Sequence, residues 1–150
     1  MKALVRSRPS RLTRACRAST WECYVARILL IDDDQDFREY IAAALQRKGH
    51  SVTAMSSGRD LLERIGASEL GTDFDVIVTD ILMPDVDGLE VILAAKAAHP
   101  GCKIVAMSAG GQISQSHLYL RMADALGAQR SLSKPFLISE LCDAVNDNLH

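Results

Sequence analysis

Acidic residues directly follow two of the most apolar runs in this sequence. Asp32 and Asp33 come after residues 28–31, and Asp80 comes after residues 74–79. Three carboxylates that converge without a cation would each disfavour ionisation of the others. A divalent cation removes that conflict, and ligands that are all oxygen favour Mg²⁺ over zinc. If the fold gathers these aspartates, the sequence predicts a magnesium site.

Two further polar residues follow later apolar runs. Ser108 comes after residues 103–107, and Lys134, with Pro135 behind it, comes shortly after residues 130–132. A lysine is a point charge that pairs with a carboxylate or a phosphoryl oxygen, and a serine donates a hydrogen bond. With Mg²⁺, this set suits a tetrahedral dianion carried by one carboxylate, formed by in-line attack of that carboxylate. Each feature alone is common, but all of them at successive strand ends indicate phosphoryl transfer to an aspartate.

Alternating strands and helices would bring these side chains together. Apolar runs predict strands at 28–31, 51–55, 74–79, 103–107 and 130–132, and helical spacing predicts helices at about 37–48, 57–66, 89–98, 115–126 and 137–149. Five such units imply an α/β fold, a parallel sheet with helices on both faces and right-handed crossovers. Ligands of such sheets bind beyond the carboxyl ends of the strands, so the polar residues should meet at one edge.

The composition fits one soluble domain preceded by a different kind of segment. The chain has 150 residues, of which 48% are hydrophobic and 24% charged, and its net charge is -2. Residues 1–25 carry six basic residues and one acid, so the remainder carries -7. We expect residues 1–25 to be a basic, disordered extension and residues 26–150 to be the domain. The net charge argues against a nucleic-acid partner, and no apolar run is long enough to cross a membrane.

The cysteines and histidines do not form a metal motif. Cys16, Cys23, Cys102 and Cys142 contain no CxxC pair, and no histidine lies at metal-ligand spacing from them, which argues against zinc. A domain of this size has core enough without disulfides, so we expect reduced thiols and a cytoplasmic protein. The four histidines are scattered, and we expect surface positions for them.

Four stretches of the sequence resemble the signature of bacterial response-regulator receiver domains. They are Ile-Asp-Asp-Asp at 31–34, Thr-Asp-Ile-Leu-Met-Pro-Asp-Val-Asp-Gly at 79–88, Met-Ser-Ala at 107–109 and Ser-Lys-Pro-Phe at 133–136. The resemblance covers about residues 26–149. It implies a flavodoxin-like, five-stranded, doubly wound parallel sheet with strand order 2-1-3-4-5. It also implies that Asp80 accepts a phosphoryl group from a histidine kinase or a histidine-phosphotransfer protein.

The resemblance also implies a role for each residue of the metal site. Asp33 and Asp80 would bind Mg²⁺ directly, together with the backbone carbonyl of Leu82. Asp32 would act mainly through metal-bound water.

Around the phosphoryl group, the resemblance implies that Ser108 donates a hydrogen bond and Lys134 forms an ion pair. It further implies a cis peptide between Lys134 and Pro135. Receiver domains often carry an aromatic switch residue three positions before the lysine, where this chain has Ser131. We therefore expect its output step to differ. Leu82 and Gly110 flank the expected approach of water and offer no acid, which predicts an aspartyl phosphate that is not hydrolysed quickly.

These expectations favour a stand-alone response regulator that signals through protein contact or a phosphorelay. The chain ends after the last predicted helix, so we expect an unknown protein target, no DNA-binding output, no turnover of a separate substrate, and a monomer or phosphorylation-dependent dimer. Two alternatives stay open. One is a pseudo-receiver that is never phosphorylated. The other is an aspartyl-phosphate phosphatase of the dehalogenase-like group, which normally has a second acid where this chain has Leu82.

Overall fold

The computed structural model describes residues 25–67, 74–109 and 113–147. Strands and helices alternate along these ranges: β1 Arg27–Ile31, α1 Gln35–Arg47, β2 Ser51–Met55, α2 Gly58–Gly66, β3 Val76–Asp80, α3 Gly88–Ala98, β4 Lys103–Ala109, α4 Ile113–Ala125, β5 Arg130–Lys134 and α5 Ile138–Asp147. All strand pairings are parallel, and the sheet order is β2-β1-β3-β4-β5. The predicted doubly wound α/β sheet and its strand order are confirmed.

Apolar side chains of the central strands pack on both faces of the sheet. One face packs against α2, α3 and α4 and includes Leu29, Ile31, Ile77, Ile104, Leu61, Val91, Ile92 and Ala123. The other packs against α1 and α5 and includes Ile28, Leu30, Val78, Val105, Met107, Ile41, Leu45, Leu141 and Val145. Strands buried on both faces read as continuous apolar runs, which is why the runs in this sequence predict a parallel sheet.

The polar residues expected just after three strands are part of those strands. Strand β3 ends at Asp80, β4 continues past Ser108 to Ala109, and β5 ends at Lys134. The predicted strand ends were too early, because the ladder pairs Asp80 with Met107 and Ala109 with Lys134 beyond the apolar runs. Strand geometry therefore holds these side chains more rigidly than loops would.

The ends of α1 follow the sequence signals. Asp34 is the N-cap, and its carboxylate accepts a hydrogen bond from the Phe37 N–H at 3.0 Å. Gly49, just past the helix, has φ +94°, a conformation that favours glycine. Helix α5 ends at Asp147, and the last two residues of the helix predicted at 137–149 lie outside the described residues, as does most of the basic segment.

One histidine departs from the expected surface placement. His50 is buried, and its Nδ1 accepts a hydrogen bond from the Ala26 N–H at 3.2 Å. Burial lowers the pKa of His50, so the neutral imidazole is favoured. Cys102 and Cys142 are buried thiols, and burial raises the pKa of Cys102 to about 11, which makes that thiol unreactive. Cys16 and Cys23 lie outside the described residues.

Within the described ranges, no helix combines the length and the apolar character needed to cross a membrane.

Candidate functional site

The three aspartates meet at the carboxyl edge of the sheet. Asp32 and Asp33 follow β1, and Asp80 ends the neighbouring strand β3. One oxygen of each carboxylate lies within 4.8 Å of those of the other two. Asp32 and Asp80 are buried, whereas Asp33 is exposed. The cluster expected from the sequence is thus formed, and its donors are all oxygen, which suits a hard cation such as Mg²⁺.

Lys134 brings a positive charge to this cluster from the far side of the sheet. Its Nζ lies 2.7 Å from Asp32 Oδ2 and 3.7 Å from Asp80 Oδ1. Strands β3 and β4 separate β5 from β1, so the contact with Asp32 joins distant strands of the sheet at their carboxyl edge. The lysine side chain is 15% exposed and that of Asp32 is fully buried, so water screens this ion pair weakly.

The charge balance around Asp80 disfavours its ionised form. Burial raises the pKa of Asp80 most strongly, and the Asp32 and Asp33 charges add to that rise. Lys134 is the main influence that opposes this rise, and the pKa of Asp80 settles at about 6. The carboxylate is therefore ionised at pH 7, but at an electrostatic cost that a bound cation would relieve.

Two buried polar atoms at this edge have no hydrogen-bond partner within the part of the chain that the structure describes. They are Asp80 Oδ1 and Ser108 Oγ. An unsatisfied buried polar atom is costly and calls for an explanation, such as a ligand or ion. Asp80 Oδ1 lies beside two other carboxylates, and the Ser108 hydroxyl lies on the neighbouring strand. Together they fit a bound cation and a tetrahedral anion.

Arg38 supports the site but was not singled out from the sequence. Its Nη1 donates to the Asp32 backbone carbonyl at 2.7 Å, while Asp32 Oδ1 accepts from the Asp34 N–H at 2.9 Å. Both bonds hold the β1–α1 loop in the conformation that turns the Asp32 carboxylate toward Lys134. A long basic side chain one turn into a helix after an acidic loop is the signal that would have found it.

Two aromatic rings near Lys134 were given no role at the site from the sequence. Lys134 Nζ lies over the Phe37 ring, 4.0 Å from its centroid. The Phe136 ring meets the Phe37 ring edge to face, with centroids 6.0 Å apart and an interplanar angle of 79°. The Lys134–Pro135 peptide is cis, as the resemblance implies.

Three other positions were singled out from the sequence in connection with the site. Leu82 is 42% exposed beside the cluster, and its carbonyl remains a predicted ligand. Ser131 is half-buried, and its hydroxyl donates to the Asp124 carboxylate. A serine therefore occupies the expected aromatic position and is tied to α4. Gly110 lies outside the described residues.

Gly88 lets α3 approach the Asp80 backbone closely. A Cβ added at Gly88 would lie 2.2 Å from the Asp80 carbonyl oxygen and 2.6 Å from Ile81 Cα. We expect Gly88→Ala to lower the free energy of unfolding in urea by about 2 kcal/mol, because backbone must move to admit the methyl group. Gly66→Ala is the matched control, since a Cβ there meets no atom within 4 Å, and it should change stability by no more than about 1 kcal/mol. Equal effects of the two substitutions would contradict this explanation.

Comparison with known proteins identifies the kind of domain to which this arrangement belongs. Residues 28–146 match the sequence profile of the family described as response regulator receiver domain. A crystal structure of a response regulator receiver domain protein from Clostridium thermocellum superposes with a TM-score of 0.72. It is 27% identical and covers 83% of this chain and 94% of its own.

Curated relatives give the same result. The response regulator receiver protein CpdR of Brucella abortus (strain 2308) is 31% identical over 123 residues, which is 82% of this chain and 96% of CpdR. The response regulator MprA of Mycolicibacterium vanbaalenii is 35% identical over 115 residues, which is 77% of this chain but 46% of MprA. The chain thus spans nearly all of one relative and about half of the other.

Proposed function

We propose that this chain, which belongs to the family of response regulator receiver domains, accepts a phosphoryl group on Asp80 from a histidine kinase or a histidine-phosphotransfer protein. Receiver domains are signalling modules of two-component systems. The observation that carries the proposal is the buried Asp80 carboxylate, which lies close to two other aspartates and to Lys134 and has an oxygen that accepts no hydrogen bond from the described residues. The residues of this chain can supply each requirement of phosphoryl transfer to a carboxylate.

Asp80 would act as the nucleophile. Its pKa of about 6 leaves the carboxylate ionised at neutral pH, and the rigid end of β3 holds it for in-line attack. A new bond forms between an Asp80 oxygen and phosphorus as the bond from phosphorus to the donor's leaving group breaks. Lys134 would neutralise one phosphoryl oxygen, and the Ser108 hydroxyl would donate to another.

Asp33 and Asp80 would hold Mg²⁺ directly, with the Leu82 carbonyl as a further ligand and Asp32 acting through metal-bound water. The all-oxygen donor set and the raised pKa of Asp80 support this assignment. When bound, Mg²⁺ supplies positive charge to the transferred phosphoryl oxygens. Removing it with EDTA should therefore prevent phosphorylation.

We further propose that the chain acts in the cytoplasm as a stand-alone regulator, through contact with a protein target or by passing the phosphoryl group on. Its likeness to CpdR, nearly all of which it spans, supports the stand-alone part of this proposal. On this proposal it turns over no separate substrate and binds neither nucleic acid nor membrane. It would be a monomer or dimerise on phosphorylation, and analytical ultracentrifugation with and without beryllofluoride would distinguish the two.

Intact-mass spectrometry after incubation with acetyl phosphate and Mg²⁺ tests the central proposal. Wild-type protein should gain roughly 80 Da, one covalent phosphoryl group, and the Asp80→Asn variant should gain nothing. Asp85→Asn is the matched control, because Asp85 is an exposed aspartate in the loop that follows β3. That variant should be modified like the wild type.

A failure of the wild type to gain mass with acetyl phosphate, and again with a panel of histidine kinases, would contradict the proposal and favour a pseudo-receiver. A gain that persists in Asp80→Asn would place the phosphoryl group elsewhere.

The lifetime of the phosphorylated form is a separate prediction. Leu82 offers no acid or amide to activate water beside the phosphoryl group, so we expect hydrolysis without side-chain assistance there. After removal of acetyl phosphate, the added mass should decay over minutes or longer. Leu82→Glu would introduce a general base and is expected to shorten the lifetime about tenfold or more. Decay of the wild type within seconds would contradict this prediction.

A further inference from the structure

We propose that Phe37 is a positioning residue for Lys134: the face of its ring holds the ammonium group against the aspartate cluster. The expected effect of Phe37 on phosphoryl transfer rests on the function proposed above, in which Lys134 contacts the phosphoryl group. The expected effect of Phe37 on the position of Lys134 is independent of that function.

The Lys134 ammonium has neighbours of two kinds. Asp32 Oδ2 lies at 2.7 Å and Asp80 Oδ1 at 3.7 Å, and the ammonium also lies over the Phe37 ring, 4.0 Å from its centroid. The negative face of an aromatic ring attracts a cation, and most strongly when water is excluded. With 15% of the lysine side chain exposed, the ring occupies space that water or an alternative lysine rotamer would otherwise take.

Two segments of the site contact Phe37 and hold its ring in place. The Phe37 N–H donates to the N-cap Asp34, two residues after Asp32, which ties the first turn of α1 to the acidic loop. The Phe136 ring, two residues after Lys134, contacts the Phe37 ring edge to face. Phe37 therefore links the segment that carries the carboxylates to the segment that carries the cation. Its ring also packs on the core face formed by α1 and α5.

An aliphatic residue at position 37 would fill this place without attracting the ammonium. The four-carbon lysine stem would then regain rotamers that carry the charge toward solvent. Because Lys134 must lie beside Asp80 when the phosphoryl group arrives, a smaller population of the inward rotamer would slow transfer. We expect Phe37→Leu to reduce the initial rate of phosphorylation by acetyl phosphate about fivefold. Phe37→Tyr, which keeps the ring face, should stay within about twofold of the wild type.

Fluorination separates the electrostatic role of the ring from its packing role. Site-specific replacement of Phe37 by fluoro-, difluoro- and trifluorophenylalanine in the full chain keeps the shape but progressively weakens the negative ring face. The phosphorylation rate should fall with each added fluorine. The same series at Phe74, a half-buried ring in the core on the opposite face of the sheet, is the control and should leave the rate unchanged.

The second readout is the NMR shift of the Lys134 ε-methylene protons, which the ring face shields. Phe37→Leu should abolish the shielding. The proposal would be overturned if the wild type showed no shielding, or if fluorination of Phe37 changed the phosphorylation rate no more than fluorination of Phe74 does. If wild-type protein accepts no phosphoryl group, the function proposed above fails, and the shift alone then decides whether Phe37 positions Lys134.

Discussion

Replacing Lys134 with methionine is expected to lower the free energy of unfolding by about 3 kcal/mol at pH 7 without Mg²⁺, because it leaves buried carboxylates without a counter-charge. Asp32 is fully buried, and its Oδ2 accepts from Lys134 Nζ at 2.7 Å. Among the residues that the structure describes, Lys134 is the one ion-pair partner of Asp32. Methionine keeps the approximate length and the apolar stem of lysine, so the substitution mainly removes the positive charge. Urea unfolding followed by circular dichroism measures the change.

A second lysine provides the matched control. Lys96 Nζ donates to the Cys102 backbone carbonyl at 2.6 Å, so Lys96→Met removes a bond to a neutral acceptor and should cost about 1 kcal/mol. Adding Asp32→Asn to Lys134→Met should restore much of the lost stability, because the stranded charge disappears. Equal losses at the two lysines, or no recovery in the double variant, would contradict the explanation.

The edge of the sheet where the site lies could be predicted because strand geometry leaves few choices. In a parallel sheet, the carboxyl ends of the strands share one edge. The aspartates after residues 28–31 and 74–79 therefore had to meet if those runs paired. The ends of β1 and β2 were predicted correctly, whereas those of β3, β4 and β5 were predicted too early. Apolar runs report burial, but a strand ends where its hydrogen-bonded ladder ends. Asp80, Ser108 and Lys134 are polar residues that the ladder still includes.

The contacts made by residues around the site, such as Phe37 and Arg38, could not be predicted in the same way. The contact of Phe37 with Lys134 depends on the rotamers of both side chains and on the turn at Pro135, none of which apolar periodicity encodes. Arg38 bonds to a backbone carbonyl, a partner that every residue offers. His50 was expected at the surface because histidines are polar, yet a single backbone N–H satisfies its ring nitrogen in the interior.

Replacing Asp80 with asparagine is expected to stabilise the fold while abolishing phosphoryl acceptance. The folded-state pKa of Asp80 is raised from 3.8 to about 6, chiefly by burial. A carboxyl group with a raised pKa contributes its full stability below pH 4, and that contribution is lost as the pH rises through 6. Asparagine resembles the protonated form at every pH. At pH 7.5 without Mg²⁺, the variant should exceed the wild type by about 3 kcal/mol in free energy of unfolding.

The pH dependence of this difference separates electrostatics from packing. At pH 4.5, where much of the Asp80 population is protonated in the folded state, the advantage of asparagine should shrink to about 1 kcal/mol. Asp85→Asn should have the same free energy of unfolding as the wild type at both pH values, because Asp85 is exposed. An advantage that does not vary with pH would mean that the amide packs better, and no advantage would mean that Lys134 already compensates the charge. Mg²⁺ should raise the free energy of unfolding of the wild type toward that of the variant, since a cation bound at the carboxylates offsets the electrostatic cost of ionised Asp80. Lys134→Met would then lower stability and Asp80→Asn would raise it for the same reason. The acidic cluster carries more negative charge than one lysine balances.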